Sequence, residues 1–195
     1  MLTSELNAVN TMLSTMAFHP VNSLTATSLR SEVSVAKNIL EEVQRDVLSD
    51  GWSFNSETKV TYSPDTNDRI AVSDNVLHID TTRGYNTSVD VVQRGRYLYD
   101  RKNHTYAFDA DLTCDQVVFL TWTDLPEVCR RLCMIRASRI FADRMDGTQA
   151  THAYTTADEA KARRDMQLHH ALNADTNYLQ GSDITRRQSV MNRVK

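Results

Sequence analysis

Six histidines, three cysteines and one close pair of aspartates are the residues of this sequence best suited to chemistry. The histidines are His19, His78, His104, His152, His169 and His170. A zinc site on a helix needs two of them one turn apart, as in His-Glu-x-x-His, so that both imidazoles reach one ion. No pair has that spacing. His169 and His170 are adjacent, which sets them about 100° apart on a helix and denies them a shared ion. Asp109-Ala-Asp111 puts two carboxylates on one side of an extended segment, where they could take a cation or a sugar-nucleotide group. A polar loop after a strand commonly contains the same residues. A glycosidase needs two carboxyls roughly 5–10 Å apart across a cleft, and with 25 acidic residues in the chain some pair meets that distance by chance. Cys114, Cys129 and Cys133 cannot pair completely; Cys129 and Cys133 lie one turn apart on an expected helix and read as small apolar fillers in a reducing compartment. The chain contains no Gly-x-Ser-x-Gly, phosphate-binding loop, dinucleotide fingerprint or Cys-x-x-Cys. These residues give no reason to propose catalysis, a metal or a cofactor.

The arginines of one expected helix, Leu125–Met145, are more informative. Its apolar residues make no single stripe. Val128, Leu132 and Ile135 point one way, Cys129, Cys133 and Ile140 another, and Met134 and Phe141 a third. Arg130, Arg131, Arg136, Arg139 and Arg144 are spread round the same wheel. A helix apolar on most sides is buried on most sides, and buried arginines need partners. Two readings stand at this point: a central helix whose arginines snorkel to solvent, or a helix covered on one side by a neighbouring subunit, where the planar guanidinium is well suited.

The elements that must position these residues follow from periodicity. Leu6, Val9, Met12, Leu13 and Met16 mark a first helix that Ser4 or Thr3 can cap and that Phe18-His19-Pro20 ends. Val33, Ala36, Ile39, Leu40, Val43 and Val47 mark a second, from about Ser31 to Leu48, with Lys37, Asn38, Glu41, Gln44 and Arg45 opposite and Asp50-Gly51 as the stop. From Trp52 to Trp122 the period shortens to two, in runs at 52–54, 59–62, 69–72, 76–79, 89–92 and 117–122, with a hairpin expected across Tyr97–Phe108. Helix returns at Leu125, with Pro126 in its first turn and Asp124 as cap. A fourth helix is expected from Thr156 to Asn173, opening with a capping box formed by Thr156 and Glu159. The spacing therefore implies an α+β fold: an antiparallel bundle of about four helices (1–51 plus 123–175), an inserted antiparallel β-sheet lobe (52–122) and an extended C-terminal tail (176–195), all in one domain.

Composition bounds the classes. The chain has 195 residues, 41% of them hydrophobic, with 22 basic and 25 acidic side chains and a net charge of −3. That is enough apolar surface for a core and argues against a DNA binder held by a strong global field. Gly (5) and Pro (3) are too scarce for linker-rich or collagen-like architectures. No stretch approaches the roughly 18 apolar residues that cross a bilayer, and Met1–Met16 lacks the basic start of a signal peptide.

Several segments together carry a family resemblance. The opening Glu5-Leu-Asn-Ala-Val-Asn-Thr-Met-Leu13 with Pro20-Val-Asn-Ser-Leu24, then Asp50-Gly-Trp-Ser-Phe-Asn55, then Arg96-Tyr-Leu-Tyr-Asp-Arg-Lys-Asn-His-Thr-Tyr-Ala-Phe108, and finally Leu125-Pro-Glu and Ile135-Arg-Ala-Ser-Arg-Ile-Phe141, resemble in order the tail tubular protein A family of T7-like short-tailed bacteriophages. The resemblance reaches about Leu172. It implies a virion protein rather than an enzyme: a head-to-tail adaptor, assembled in the bacterial host cytoplasm into a homo-oligomeric ring expected to be twelve subunits. That ring would join the portal protein to the tail nozzle (tubular protein B), with viral DNA passing through the lumen during ejection, without sequence-specific binding or membrane insertion. It implies no cofactor and no metal. In a ring, one patch meets a different patch on the next copy. On this reading Arg130, Arg131, Arg136, Arg139 and Phe141 are the expected subunit contact, the arginines pairing with the neighbour's Glu41–Asp46 stretch. The basic tail, with Arg186, Arg187, Val190 and Arg193, is the expected portal-docking segment. The alternatives are a carbohydrate-active enzyme assisting envelope penetration through Asp109 and Asp111, and a DNA-contacting module using the tail and the arginine-rich helix.

Overall fold

The computed structural model describes residues 2–25, 30–145 and 149–173, with side chains from 156 onward in the last stretch. Among these residues the elements run α1 (Glu5–Thr15), α2 (Ser31–Ser49), β1 (Ser56–Tyr62), β2 (Val76–Thr81), β3 (Val91–Arg94), β4 (Tyr97–Asp100), β5 (Leu112–Val118), α3 (Glu127–Met145) and α4 (Gln149–Asn173). The fold is α+β, in the expected order of helices and strands.

Each helix starts and stops for a local reason. Ser4 caps α1 by accepting from the Asn7 amide at 3.1 Å. The helix ends where Ala17 takes a positive φ of 55°, and the Asn10 side chain then pins the following chain by bonding both the amide and the carbonyl of Val21, at 2.8 and 2.9 Å. α2 stops at Asp50-Gly51, with Gly51 at φ +72°. Gln44, expected on the polar face of α2, is instead buried, and its side chain donates to the Leu120 carbonyl at 2.8 Å. The wheel could not foresee this, because the partner lies 76 residues away.

Three helix-start expectations are corrected. α3 begins at Glu127, because Trp122–Asp124 form a 3-10 turn of their own. Asp124 accepts from the Thr121 hydroxyl at 2.6 Å within that turn. α4 begins at Gln149, before Thr156, so Thr156 and Glu159 lie inside the helix and form no capping box.

The strands form two small sheets: an antiparallel trio in the order β1-β5-β2, and the pair β3-β4. The hairpin expected across Tyr97–Phe108 lies one unit earlier. Tyr97–Asp100 pairs back onto Val91–Arg94 through a two-residue turn at Gly95-Arg96, with Gly95 at φ +64°. After Asp100 the chain makes only a single bridge, Asp100 with Thr105. The buried Asp100 carboxylate explains the difference. It accepts from the amides of Lys102 (2.8 Å) and Asn103 (3.3 Å) and from the Asn103 side chain (2.5 Å), folding those residues into a turn rather than a second strand. The expected run Arg69–Val72 contributes one bridge, Ala71 with Tyr97.

Two hydrophobic cores result. One lies among the helices, from Val9 and Leu13 through Ile39 and Leu40 to Cys133, Phe141 and Met166. The other lies inside the lobe, around Ile70, Ile79, Leu98, Phe108 and Val118. Leu120 packs against both. No helix among the described residues is long and apolar enough to cross a membrane.

Candidate assembly surfaces

The helix α3 is wrapped by its own chain on three sides, against α1, α2 and α4. That packing meets the burial its wheel demands. It also accounts for most of its arginines. Arg130 is 5% exposed and satisfies its guanidinium on backbone carbonyls: Nε donates to Leu125 at 2.9 Å, Nη1 to Thr3 at 3.1 Å and Nη2 to Thr123 at 2.7 Å. Three carbonyl acceptors replace the water that burial removes. Beside it, Glu127 accepts from the Thr3 amide at 2.8 Å and the Thr3 hydroxyl at 2.5 Å. Burial pushes that carboxyl up, but the Thr3 bonds and the nearby Arg130 and Arg131 outweigh it and hold the group below its ordinary value.

Further along α3, Arg136 pairs with Asp46 at 2.7 Å and lies 3.5 Å from Glu159; Arg139 meets Glu159 at 2.6 Å and Asp143 at 3.2 Å. Arg144 makes a two-point contact with Glu42, 3.1 Å on each side. The Glu159 hydrogen bond raises the Arg139 guanidinium, and the Arg144 hydrogen bond lowers the Glu42 carboxyl. The carboxylates of 41–46 expected from a neighbour are thus supplied by the same chain. Phe141 is fully buried, with its ring 6.2 Å edge-on from Phe18. Of the five residues expected at a subunit contact, Arg130 and Phe141 lie inside the protomer and Arg136 and Arg139 are paired within it. Arg131 is exposed and has no ion-pair partner among the described residues. Arg186, Arg187, Val190 and Arg193 lie outside the described residues.

The remaining candidates are dispersed. Asp109 and Asp111 are exposed in a bend ahead of β5. His170 accepts from the Ser53 amide at 3.0 Å and stands edge-on to Trp52, whereas His169 meets Asn173, so the neighbouring imidazoles diverge. Cys114 is buried, which pushes its thiol up to about 11, and a Cys129 hydrogen bond together with burial raises Cys133 well above the ordinary range; thiols held neutral in this way are poor nucleophiles. No group of three or more metal-ligating side chains occurs among the described residues.

One surface escaped the residue-by-residue reading. On the outer face of β3-β4 the Arg94 guanidinium lies 3.7 Å from the Tyr99 ring centre, Tyr106 packs edge-on to Tyr99 at 4.9 Å, and Arg69 sits 5.7 Å from the Tyr97 ring. The alternating tyrosines were visible in the sequence. The arginines stacked on them were not, because the register Arg94–Tyr97 depends on where the hairpin turns.

No curated protein matches this chain. The family model for tail tubular protein matches residues 6–176, which takes in both cores and, but for Glu5 at the start of α1, every helix and strand described. The α3 arginines hold a structural bundle together, and among the described residues the candidate catalytic groups do not converge. The chain belongs to the tail tubular protein family, whose members are structural components of the phage tail.

Proposed function

We propose that the protein is a ring-forming adaptor that joins the portal to the tail nozzle and lines part of the conduit for viral DNA. The family match over residues 6–176 carries this reading. Two features support it. The net charge of −3 suits a wall past which DNA slides, since a strongly basic lumen would retain it. Four of the five α3 arginines, Arg130, Arg136, Arg139 and Arg144, are also satisfied within the protomer, as a rigid wedge of a ring should be.

Within this proposal Arg131 is the α3 residue that reaches the neighbouring copy, and the basic tail with Arg186, Arg187, Val190 and Arg193 docks on the portal. Ring assembly takes place in the host cytoplasm, where the three cysteines stay reduced.

The test is imaging of the protein mixed with its cognate portal. A ring coaxial with the portal supports the adaptor; a protein that stays monomeric and unbound at micromolar concentration overturns it. Arg131→Glu should weaken assembly while leaving the thermal midpoint within a few degrees of wild type. Arg136→Glu is unsuited to that purpose, because it breaks the protomer's own contact with Asp46.

A further inference from the structure

The two sheets of the β lobe carry opposite charge. Residues 91–106, which contain β3 and β4, hold Arg94, Arg96, Arg101 and Lys102 against one acid, Asp100, and that acid is buried and spent on the turn it organises. The three-stranded sheet and the bend leading into it hold Glu57, Asp80, Asp109, Asp111 and Asp115 against Lys59. Some of these charges are taken up inside the lobe, Arg101 by Asp90 at 2.9 Å and Asp115 by the Thr82 hydroxyl at 2.6 Å. Among the described residues the guanidinium groups of Arg69 and Arg94 make no salt bridge and stack on tyrosines, although the Arg69 amide donates to Asp65 at 3.0 Å. Asp109 and Asp111 are exposed and make no salt bridge among the described residues, and Arg96 makes a loose, exposed 3.9 Å contact with Asp74.

The basic face is also preorganised. Directly opposed and alternate residues of a strand pair share a face, so Val92, Arg94, Tyr97 and Tyr99 project together while Leu98 and Val91 fill the lobe core. Contact with Tyr99 at 3.7 Å restrains the Arg94 guanidinium, so less rotamer freedom remains to be lost when a carboxylate arrives. Arginine and tyrosine together are also the residue types that anchor protein interfaces.

A chain that bears both a basic and an acidic face suits head-to-tail association, since each copy presents what the next one needs. We propose that the basic face of one copy, Arg69 and Arg94 over Tyr97 and Tyr99, docks on the acidic bend Asp109–Asp111 of the next copy. This rests on the ring reading above and adds to it a contact in the lobe, beside the one Arg131 makes from the helical bundle.

A charge-swap experiment decides it. One variant carries Arg69→Glu and Arg94→Glu; a second carries Asp109→Lys and Asp111→Lys. All four positions are exposed, and circular dichroism melts confirm that each variant is folded. Assembly on the cognate portal is followed by sedimentation and electron microscopy. Each variant alone should assemble at least tenfold more weakly than wild type. An equimolar mixture should recover, since reversed faces then meet reversed bends in alternation, and one chain carrying all four changes should recover as well. Variants that assemble like wild type, or folded variants that neither the mixture nor the fourfold chain restores, overturn the contact while leaving the ring intact. Loss of duplex DNA binding without loss of assembly also overturns it. A wild type that never forms a ring, even on the portal, overturns the ring reading itself.

Discussion

Asn55 and Val118 are joined twice: the Asn55 side-chain amide donates to the Val118 carbonyl at 2.9 Å, and the Val118 amide donates to the Asn55 carbonyl at 2.9 Å. The same side chain donates to the Leu48 carbonyl at 2.9 Å and accepts from the Trp52 amide at 2.8 Å. One buried amide therefore ties the end of α2, the approach to β1 and the end of β5, where the chain enters and leaves the lobe. Asn55→Leu removes the three side-chain bonds, to Leu48, Trp52 and Val118, and should cost about 3 kcal/mol, read as a lower urea midpoint at unchanged slope.

Glu159 is the hub of the charge cluster between α3 and α4, facing Arg136 and Arg139. Glu159→Ala removes the shared carboxylate but leaves Asp46 and Asp143 in place. The expected loss is about 2 kcal/mol, less than for a fully orphaned buried cation. Thermal melts should also show that added salt destabilises wild type more than the variant, because only wild type has the full network to screen.

Gly51 allows α2 to stop against the sheet. Its φ of +72° disfavours any side chain, and a Cβ there would come 3.2 Å from Val117 Cγ2. Gly51→Ala should cost about 1–2 kcal/mol, whereas Gly84→Ala, with open space around it, should cost less. Chemical denaturation of the two variants gives the comparison.

Acid should loosen the protein in a definite window. Glu127 and Asp100 both hold their carboxyls below the ordinary values of 4.5 and 3.8, because donated hydrogen bonds outweigh burial. The unfolded chain therefore takes up these protons at higher pH than the folded one. Their stabilisation is complete above the ordinary values and is lost as pH falls through the lower folded-state values. Glu127→Gln should be less stable than wild type at pH 7 and show a shallower decline below about pH 4.5, measured by urea unfolding across pH.

Much of this architecture is legible in the residue order. The apolar spacing of α1 and α2, the Ser4 cap and the Asp50-Gly51 stop are local facts, and so is the change of period at Trp52. The errors share one cause. Local spacing puts Gln44 on the solvent face, Glu159 in a capping box and the hairpin at Tyr97–Phe108, whereas the deciding feature lies elsewhere in the chain: Leu120 for Gln44, the earlier start of α4 at Gln149 for Glu159, and Val91–Arg94 for Tyr97–Asp100.

The candidate site divides in the same way. The sequence by itself determined that α3 must be covered on most sides and that its arginines need acceptors, because apolar periodicity and the cost of burying charge are properties of a single helix. Only the tertiary structure decided who supplies them: Thr3, Glu42, Asp46 and Glu159 of the same chain, brought to α3 by α1, α2 and α4. The same holds for Arg94 on Tyr99, since a hairpin's register, and not its composition, determines which side chains share a face.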